Sequence, residues 1–474
     1  MTDRGWTVQG ICPACGHAVP AVYTERGGMI SFETNCPEHG VRSDLASEHP
    51  EDFARFMGFR SVCVPPKTAI TRGAPSDDAC PLHCGLCDNH LMTACCVLID
   101  VTQRCNQHCP WCFARAGESA AADPSRQELA RAYDHLVELG EERPFNIQLS
   151  GGEPTVRDDL PDIVRDGKDR GFSYIQLNTN GRRIADEPGY AETLAKAGLT
   201  TVFLQFDGMQ DGVYSALRGE PLLAEKMRTI EACRRARLPV TLVPTVVRGV
   251  NDGEIGALID CMLANLDTVK GVHFQPASFF GRHPGAAGES CGAGGRITMF
   301  EVMRQIEVQT GGRIRTADLV PITTGHPLCC FCADFLRERD GGLTALTSDA
   351  QRAQGASCCS GEGTSDEACC TAGISAADPL DIIRRDRDFV LKKWSLPDGP
   401  APVSDEPLSL DEAVHWIKTN GFTVSSMAFM DRGNLDAERL KRCRVQQYTL
   451  DGRLIPFCAY NSLHRTESTQ AGEE

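Results

Sequence analysis

The residues best suited to chemistry in this chain are three cysteines, Cys105, Cys109 and Cys112, in the run CNQHCPWC. Their C-x3-C-x2-C spacing puts three thiolates on one short loop, and a cubane iron–sulfur cluster normally takes four. With no fourth cysteine at fixed offset, one iron keeps an open position, which a small molecule carrying an amine and a carboxylate can chelate. Zinc competes for such a loop, but its spacings pair C-x2-C with a second C-x2-C or with histidines. An ordinary ferredoxin-type cluster needs its fourth thiolate.

Such a loop has to stand on a rigid element. CVLIDVT, from Cys96 to Thr102, alternates and is β-branched, so it reads as a strand that delivers the cysteines at its C-terminal end. Open parallel sheets and barrels place their chemistry there. RQELARAYDHLVELG then has helical spacing at Leu129, Tyr133, Leu136 and Leu139 and a stop at Gly140. The next strand, FNIQLS, runs into Gly151, Gly152, Glu153 and Pro154, where paired glycines let backbone approach a ligand. The alternation continues with helices near 158–170, 189–197, 221–237 and 252–264 and strands YIQLNTNG, TVFLQFDG, PVTLVPTVV and GVHFQPAS. Six strands separated by helices predict an α/β fold, a partial (β/α)6 barrel with right-handed crossovers. Asn178, Asn180, Gln205, Asp207, Thr245, Asn251 and Gln275 fall at strand ends and are candidates to line its mouth. Gln205 and Asp207 come first for contact with cofactor or substrate, then Asn178 and Asn180.

A three-cysteine loop followed, one strand–helix–strand unit later, by SGGEP resembles the radical SAM superfamily. The resemblance implies a [4Fe–4S] cluster on Cys105, Cys109 and Cys112, with S-adenosylmethionine on the open iron and the loop from Gly151 to Pro154 against its methionine part. Reductive cleavage of the sulfonium then yields a 5′-deoxyadenosyl radical, chemistry that belongs to the cofactor and is positioned by protein.

The chain has 24 cysteines, and without a secretion signal they read as metal ligands in a reducing compartment. Cys12 and Cys15, a hairpin turning at Gly27-Gly28, and then Cys36 and His39 form a ribbon for one mononuclear zinc or iron ion. A segment this small has too little core to fold without one. CPLHCGLCDNHLMTACC offers Cys80, Cys84, Cys87 and either Cys95 or Cys96 for a second cluster. HPLCCFC adds Cys329, Cys330 and Cys332, and Cys443 and Cys458 flank a hairpin at Asp451-Gly452. Two cysteines of the 329–332 run, with Cys329 and Cys332 as candidates, plus Cys443 and Cys458 would suffice for a third. Cys233 and Cys261 sit on helix-like segments and read as core, while Cys63 and Cys291 have no cysteine at ligand spacing.

These segments give an expected organisation of an N-terminal metal knuckle over 1–60, an auxiliary-cluster segment over 61–96, the barrel over 97–285, and a C-terminal α+β iron–sulfur domain over 286–474. The last contains a polar insertion at 351–371 with the pairs Cys358-Cys359 and Cys369-Cys370, a helix over 378–394 and the linker PDGPAPVSDEP. With 41% apolar residues the chain can bury a real core. Its net charge of −16 argues against a nucleic-acid partner. No apolar run reaches the ~20 residues that span a bilayer, so a cytoplasmic location is expected.

Over nearly its whole length the order CPAC…CPEHG, CPLHCGLC, CNQHCPWCFA, SGGEP, FLQFDG, VVRGVND, FQPASFFGR, HPLC and RLIPFCAYN is similar to one radical SAM branch. That branch holds the class D methylases proposed to act on pterins and the archaeal tetraether lipid synthases. The resemblance implies auxiliary clusters on Cys80, Cys84, Cys87 and Cys95, and on Cys329, Cys443 and Cys458 with a neighbour. It also implies an electron donor such as a ferredoxin or flavodoxin. The expected reaction is methylation of, or carbon–carbon bond formation at, an unactivated carbon of a small or lipid substrate. A dehydrogenase or peptide-modifying maturase is the alternative, and an electron carrier or metal-stabilised scaffold a more distant one.

Overall fold

The computed structural model describes residues 5–66, 81, 85–87, 89–118, 122–140, 145–284, 295–347, 396 and 409–465. Cys80, Cys84, Cys291, the 351–371 insertion, the 378–394 helix and the linker lie outside these residues.

The chain opens with a four-stranded antiparallel ribbon, β1 (Gly5–Ile11), β2 (Ala18–Arg26), β3 (Met29–Cys36) and β4 (Gly40–Ser47), in sequential order. Gly27 and Gly28 both take positive φ, 60° and 77°, which is what a two-residue turn between twisted strands demands. The barrel strands follow as β5 (Cys96–Thr102), β6 (Asn146–Gly151), β7 (Ile175–Thr179), β8 (Thr201–Gln205), β9 (Val240–Val243), the two-residue β10 (Thr245–Val246) and β11 (Val269–Pro276). All neighbours from β5 through β9 to β11 pair in parallel, so the six expected strands form a continuous curved sheet. The expected strand PVTLVPTVV is broken at Pro244, which has no N–H to give to a ladder.

Each crossover helix buries an apolar stripe against this sheet. Arg126–Leu139 begins with a capping box, Ser125 Oγ accepting from Glu128 N while the Glu128 carboxylate accepts from Ser125 N at 2.8 Å. Its Leu129, Tyr133 and Leu136 are buried with Ile147, Leu149, Val164, Ile175 and Leu177 in one core. Cys233 and Cys261 lie buried on Leu223–Ala236 and Ile255–Ala264, as core residues should.

The remaining strands are β12 (Val320–Pro321), β13 (Cys330–Arg337), β14 (Leu343–Ala345), β15 (Gly421–Met427), β16 (Val445–Tyr448) and β17 (Leu454–Pro456). They do not make a sheet of their own among the described residues. β15 adds in parallel to β11, β13 pairs antiparallel with β15, and β16 adds in parallel to the opposite edge beside β5. The boundary expected at 285/286 therefore falls within one sheet, because both barrel edges offer unpaired N–H and C=O groups that the C-terminal strands satisfy. The two extended edges also approach each other, Arg444 donating to Thr324.

Candidate active site

Strands β5 to β11 enclose a cavity of about 710 Å³ that runs from their starts to their C-terminal ends, where Cys105, Cys109 and Cys112 stand in its wall. The loop carrying them is held from several sides. Arg282 donates to the carbonyls of Cys109 (2.8 Å) and Ala116 (3.1 Å), and its own backbone pairs with Cys112 in both directions at 2.8 Å. Gly281 has φ 74°, and a Cβ there would lie 2.3 Å from the Cys112 carbonyl oxygen, so the FFGR segment presses on the loop backbone to backbone. On the other side Arg218 donates to the Trp111 carbonyl at 2.8 Å, while Trp111 N donates to Leu217 O at 3.2 Å.

The SGGEP segment meets the same loop. A Cβ on Gly151 would sit 2.1 Å from Thr102 O, and one on Gly152 2.1 Å from Arg104 O, so only glycine allows this seam. Glu153 is buried and saturated. Its Oε1 accepts from Thr155 N (3.0 Å), Thr155 Oγ1 (2.6 Å) and Thr179 Oγ1 (2.7 Å), and its Oε2 accepts from Asn180 N (2.6 Å). The carboxylate thus ties the end of β6 to the end of β7. Gly151, Gly152 and Glu153 line the cavity; Pro154 is buried and starts a 3-10 turn.

Of the expected mouth residues, Asn178, Asn180, Gln205, Thr245 and Gln275 line the cavity. Asp207 does not reach it. It is fully buried, with both oxygens 2.7 Å from the Arg218 guanidinium and Oδ1 accepting from Thr245 N at 3.0 Å. The expected direct contact is corrected to a supporting role, since a buried carboxylate needs its charge matched where it lies. Asn251 is likewise buried, donating to Asp207 O and Thr245 O at 2.8 Å each. The residue that does face the cavity is Arg218, which closes the helix Asp211–Arg218. No helix was expected there, and an arginine before a glycine gives no signal of its role.

Burial pushes the Cys105 thiol up to about 12, aided by Glu153, Cys109 and Cys112 nearby. Burial raises Cys109 too, against the pull of Arg218 and Lys226. Buried thiols of this kind stay protonated unless a metal takes the proton's place. Gln107 Nε2 is a buried donor with no partner in the same wall. Three thiols, two nearby cations and an unmet donor fit an iron–sulfur cluster and its chelating ligand.

Elsewhere the ligand atoms of Cys12, Cys15, Cys36 and His39 all lie within 4.8 Å of one another. His39 Nδ1 stands 3.4 Å from Cys36 Sγ and pulls that thiol down. Cys329, Cys443 and Cys458 also share a neighbourhood: burial pushes Cys443 up to about 12, with Cys329 adding to the shift, and Cys458 rises for the same reason with Cys443 and Cys329 beside it. Arg439 donates to Cys329 Sγ at 3.4 Å. Cys332 is placed differently, on the cavity wall with Cys330, because the two are separated by one residue on β13 and share a face. Cys95 and Cys96 line the cavity at the start of β5, and Cys87 lies beyond that strand's start, its carbonyl accepting from His90 N.

A parallel sheet that delivers three cysteines and a glycine pair to one cavity defines an α/β protein whose cavity wall has the donor set an iron–sulfur cluster needs. The chain belongs to the radical SAM superfamily, whose description it matches over residues 99–262. Residues 6–48 match an "HMPTM N-terminal zinc ribbon domain". It is 34% identical to the 7,8-dihydro-6-hydroxymethylpterin dimethyltransferase of Methanocaldococcus jannaschii, over 96% of this chain and 93% of that one. It is also 34% identical to a probable GTP 3′,8-cyclase of Thermococcus kodakarensis, over 34% of this chain and 51% of that protein. Among solved structures, Streptococcus suis SuiB bound to S-adenosylmethionine is 16% identical with a TM-score of 0.37, covering 47% of this chain and 48% of that one. No described helix is long and apolar enough to cross a membrane.

Proposed function

We propose that this enzyme methylates an unactivated carbon of a reduced pterin or a closely similar heterocycle. The observation that carries this reading is the inner wall of the cavity, where Asn146, Gln148, Gln176, Asn178, Gln205 and Gln275 project from four strands. Tyr174 donates to Gln176 (3.0 Å), Gln176 to Asn178 (2.7 Å) and Asn178 to Gln148 (3.4 Å), so the amides are ordered by one another. Neutral side chains with both donors and acceptors suit a flat heterocycle with an alternating edge. An alkyl chain would offer no partner to the amide donors and acceptors that these bonds leave over, at about 1–3 kcal/mol for each group so stranded. The methanocaldococcal relative, named for a dihydrohydroxymethylpterin, supports the same substrate class.

Cys105, Cys109 and Cys112 would hold the cluster, whose bound S-adenosylmethionine supplies a 5′-deoxyadenosyl radical on one-electron reduction. Gly151 and Gly152 give the cofactor a backbone surface, Asn178, Asn180 and Gln205 orient it, and Arg218 and Arg282 fix the loop. Cys329, Cys443 and Cys458 with a neighbour would hold an auxiliary cluster, and Cys80, Cys84, Cys87 and Cys95 another. The ribbon would hold a structural zinc or iron with four protein ligands and no open position. A ferredoxin or flavodoxin in the cytoplasm would supply electrons.

Anaerobic incubation of reconstituted enzyme with reduced flavodoxin, S-adenosylmethionine and 7,8-dihydro-6-hydroxymethylpterin should give 5′-deoxyadenosine and a pterin heavier by one or two methylene units. Labelling the S-adenosylmethionine methyl group then reads whether that carbon or a second one-carbon donor is used. Cofactor cleavage that leaves the pterin unchanged contradicts the substrate assignment.

A further inference from the structure

We propose that Lys226 sets the reduction potential of the cluster held by Cys105, Cys109 and Cys112, acting as the buried countercharge for the electron that the cluster accepts. The inference rests on the radical reading above but not on which substrate is bound. On the helix Leu223–Ala236 the buried residues Lys226, Thr229, Ile230 and Cys233 share one face. Lys226 is 0% exposed, a state that lysine almost never takes without a reason to be paired there. Its Nζ donates to a backbone carbonyl, Asn180 O, rather than to a carboxylate.

Asn180 joins the three segments that build the site. Its N donates to Glu153 Oε2 at 2.6 Å and its Nδ2 to Asn106 Oδ1 at 2.8 Å, and Asn106 lies between Cys105 and Cys109 on the loop. One turn on from Lys226, Thr229 Oγ1 donates to Gly181 O at 3.0 Å, so the helix holds two successive carbonyls just past β7. The ammonium therefore sits behind the seam where the cysteine loop meets SGGEP.

The charges along that seam show what it does. Arg218 is matched by Asp207, both of whose oxygens lie 2.7 Å from its guanidinium. Glu153 takes its hydrogen bonds from backbone N–H groups and threonine hydroxyls, which are all neutral. Lys226 supplies the cation that faces both Glu153 and the cluster thiols, and its pull reaches Cys109. Burial pushes Lys226 down to about 8 while Asp207, Glu225 and Glu153 draw it back up, so it is charged at neutral pH.

Reduction brings one electron from a ferredoxin- or flavodoxin-type carrier, and no atom or proton moves. The added negative charge falls in a low-dielectric wall, where a nearby cation is felt strongly. Lys226 favours the reduced state and so raises the potential toward the range of the carrier.

The test is a redox titration of the reconstituted protein, read by electron paramagnetic resonance without S-adenosylmethionine or substrate, with Cys105→Ala subtracting the other clusters. At the wild-type midpoint the ratio of reduced to oxidised cluster should fall at least tenfold in Lys226→Met, which for one electron lowers the midpoint by about 59 mV. Lys226→Gln keeps an N–H donor but no charge and should fall as far. Lys226→Arg keeps the charge and should stay within about threefold of wild type. Iron content should equal wild type in all three. An unchanged ratio in Lys226→Met overturns the proposal, as does a ratio in Lys226→Arg as low as in Lys226→Met. Recovery in Lys226→Gln overturns it by making the bond to Asn180 the active element, and loss of iron from the variants overturns it by making Lys226 an assembly residue. If wild type shows no reducible signal that depends on Cys105, the radical reading itself falls and takes this inference with it.

Discussion

The N-terminal ribbon and the barrel mouth both gather cysteines, yet they are built for opposite ends. In the ribbon, four donor atoms from two knuckles face each other within 4.8 Å, and an ion there would be closed off by protein. At the barrel mouth three thiols share the wall of a cavity of about 710 Å³, and the rigid parts are the arginines and glycines behind them. The difference teaches that ligand convergence signals a structural site. A loop braced from behind and open in front signals a reactive one.

The sharpest way to break this comparison is to remove one ligand from each side. Cys105→Ala should abolish 5′-deoxyadenosine formation while leaving thermal stability near wild type. Cys36→Ser should do the reverse, lowering the melting temperature strongly because metal binding is folding energy in so small a unit. A Cys36→Ser protein as stable as wild type would contradict the structural role.

The next effect concerns the brace. Arg218→Met leaves Asp207 buried without its partner, and breaking one side of such a pair costs about 3–5 kcal/mol. Denaturant melts should show that loss, and Asp207→Asn paired with Arg218→Met should recover part of it.

A smaller effect separates the cluster segments by pH. His90 is buried with Nδ1 unpartnered, and burial lowers it to about 4 from 6.5. Between those values the unfolded chain binds the extra proton, so stability is full above pH 6.5 and falls as pH drops toward 4, by on the order of 3 kcal/mol. Anaerobic denaturation midpoints across that window should slope, and His90→Leu should flatten them.

Gly152→Ala sets a Cβ 2.1 Å from the backbone oxygen of Arg104, which cannot swing aside, so a loss of at least about 3 kcal/mol is expected in denaturant melts. Its larger consequence should be weaker S-adenosylmethionine binding, read by calorimetry on the oxidised cluster protein.

Much of the barrel was legible because parallel strands buried on both faces read as β-branched runs, and each was followed by a glycine or polar strand end. The ribbon was legible for a different reason, the two-plus-two spacing of its ligands. What was hidden depends on pairing across long stretches of chain. Asp207 looks like any polar strand end, and only the docking of Asp211–Arg218 turns it inward to an arginine. The strands at 421–427 and 445–448 carry no mark saying that they extend opposite edges of the barrel sheet. Cys329 ends a 3-10 turn while Cys330 and Cys332 share one face of β13, and that division becomes readable only once the start of the strand is known.

The central claim is an iron left open to an incoming ligand. Electron paramagnetic resonance of the reduced, reconstituted protein before and after adding S-adenosylmethionine tests it directly, with the Cys105→Ala variant subtracting the other clusters. The account predicts a signal absent from Cys105→Ala whose shape changes when S-adenosylmethionine binds. A signal that persists in that variant, or is indifferent to S-adenosylmethionine, would contradict it.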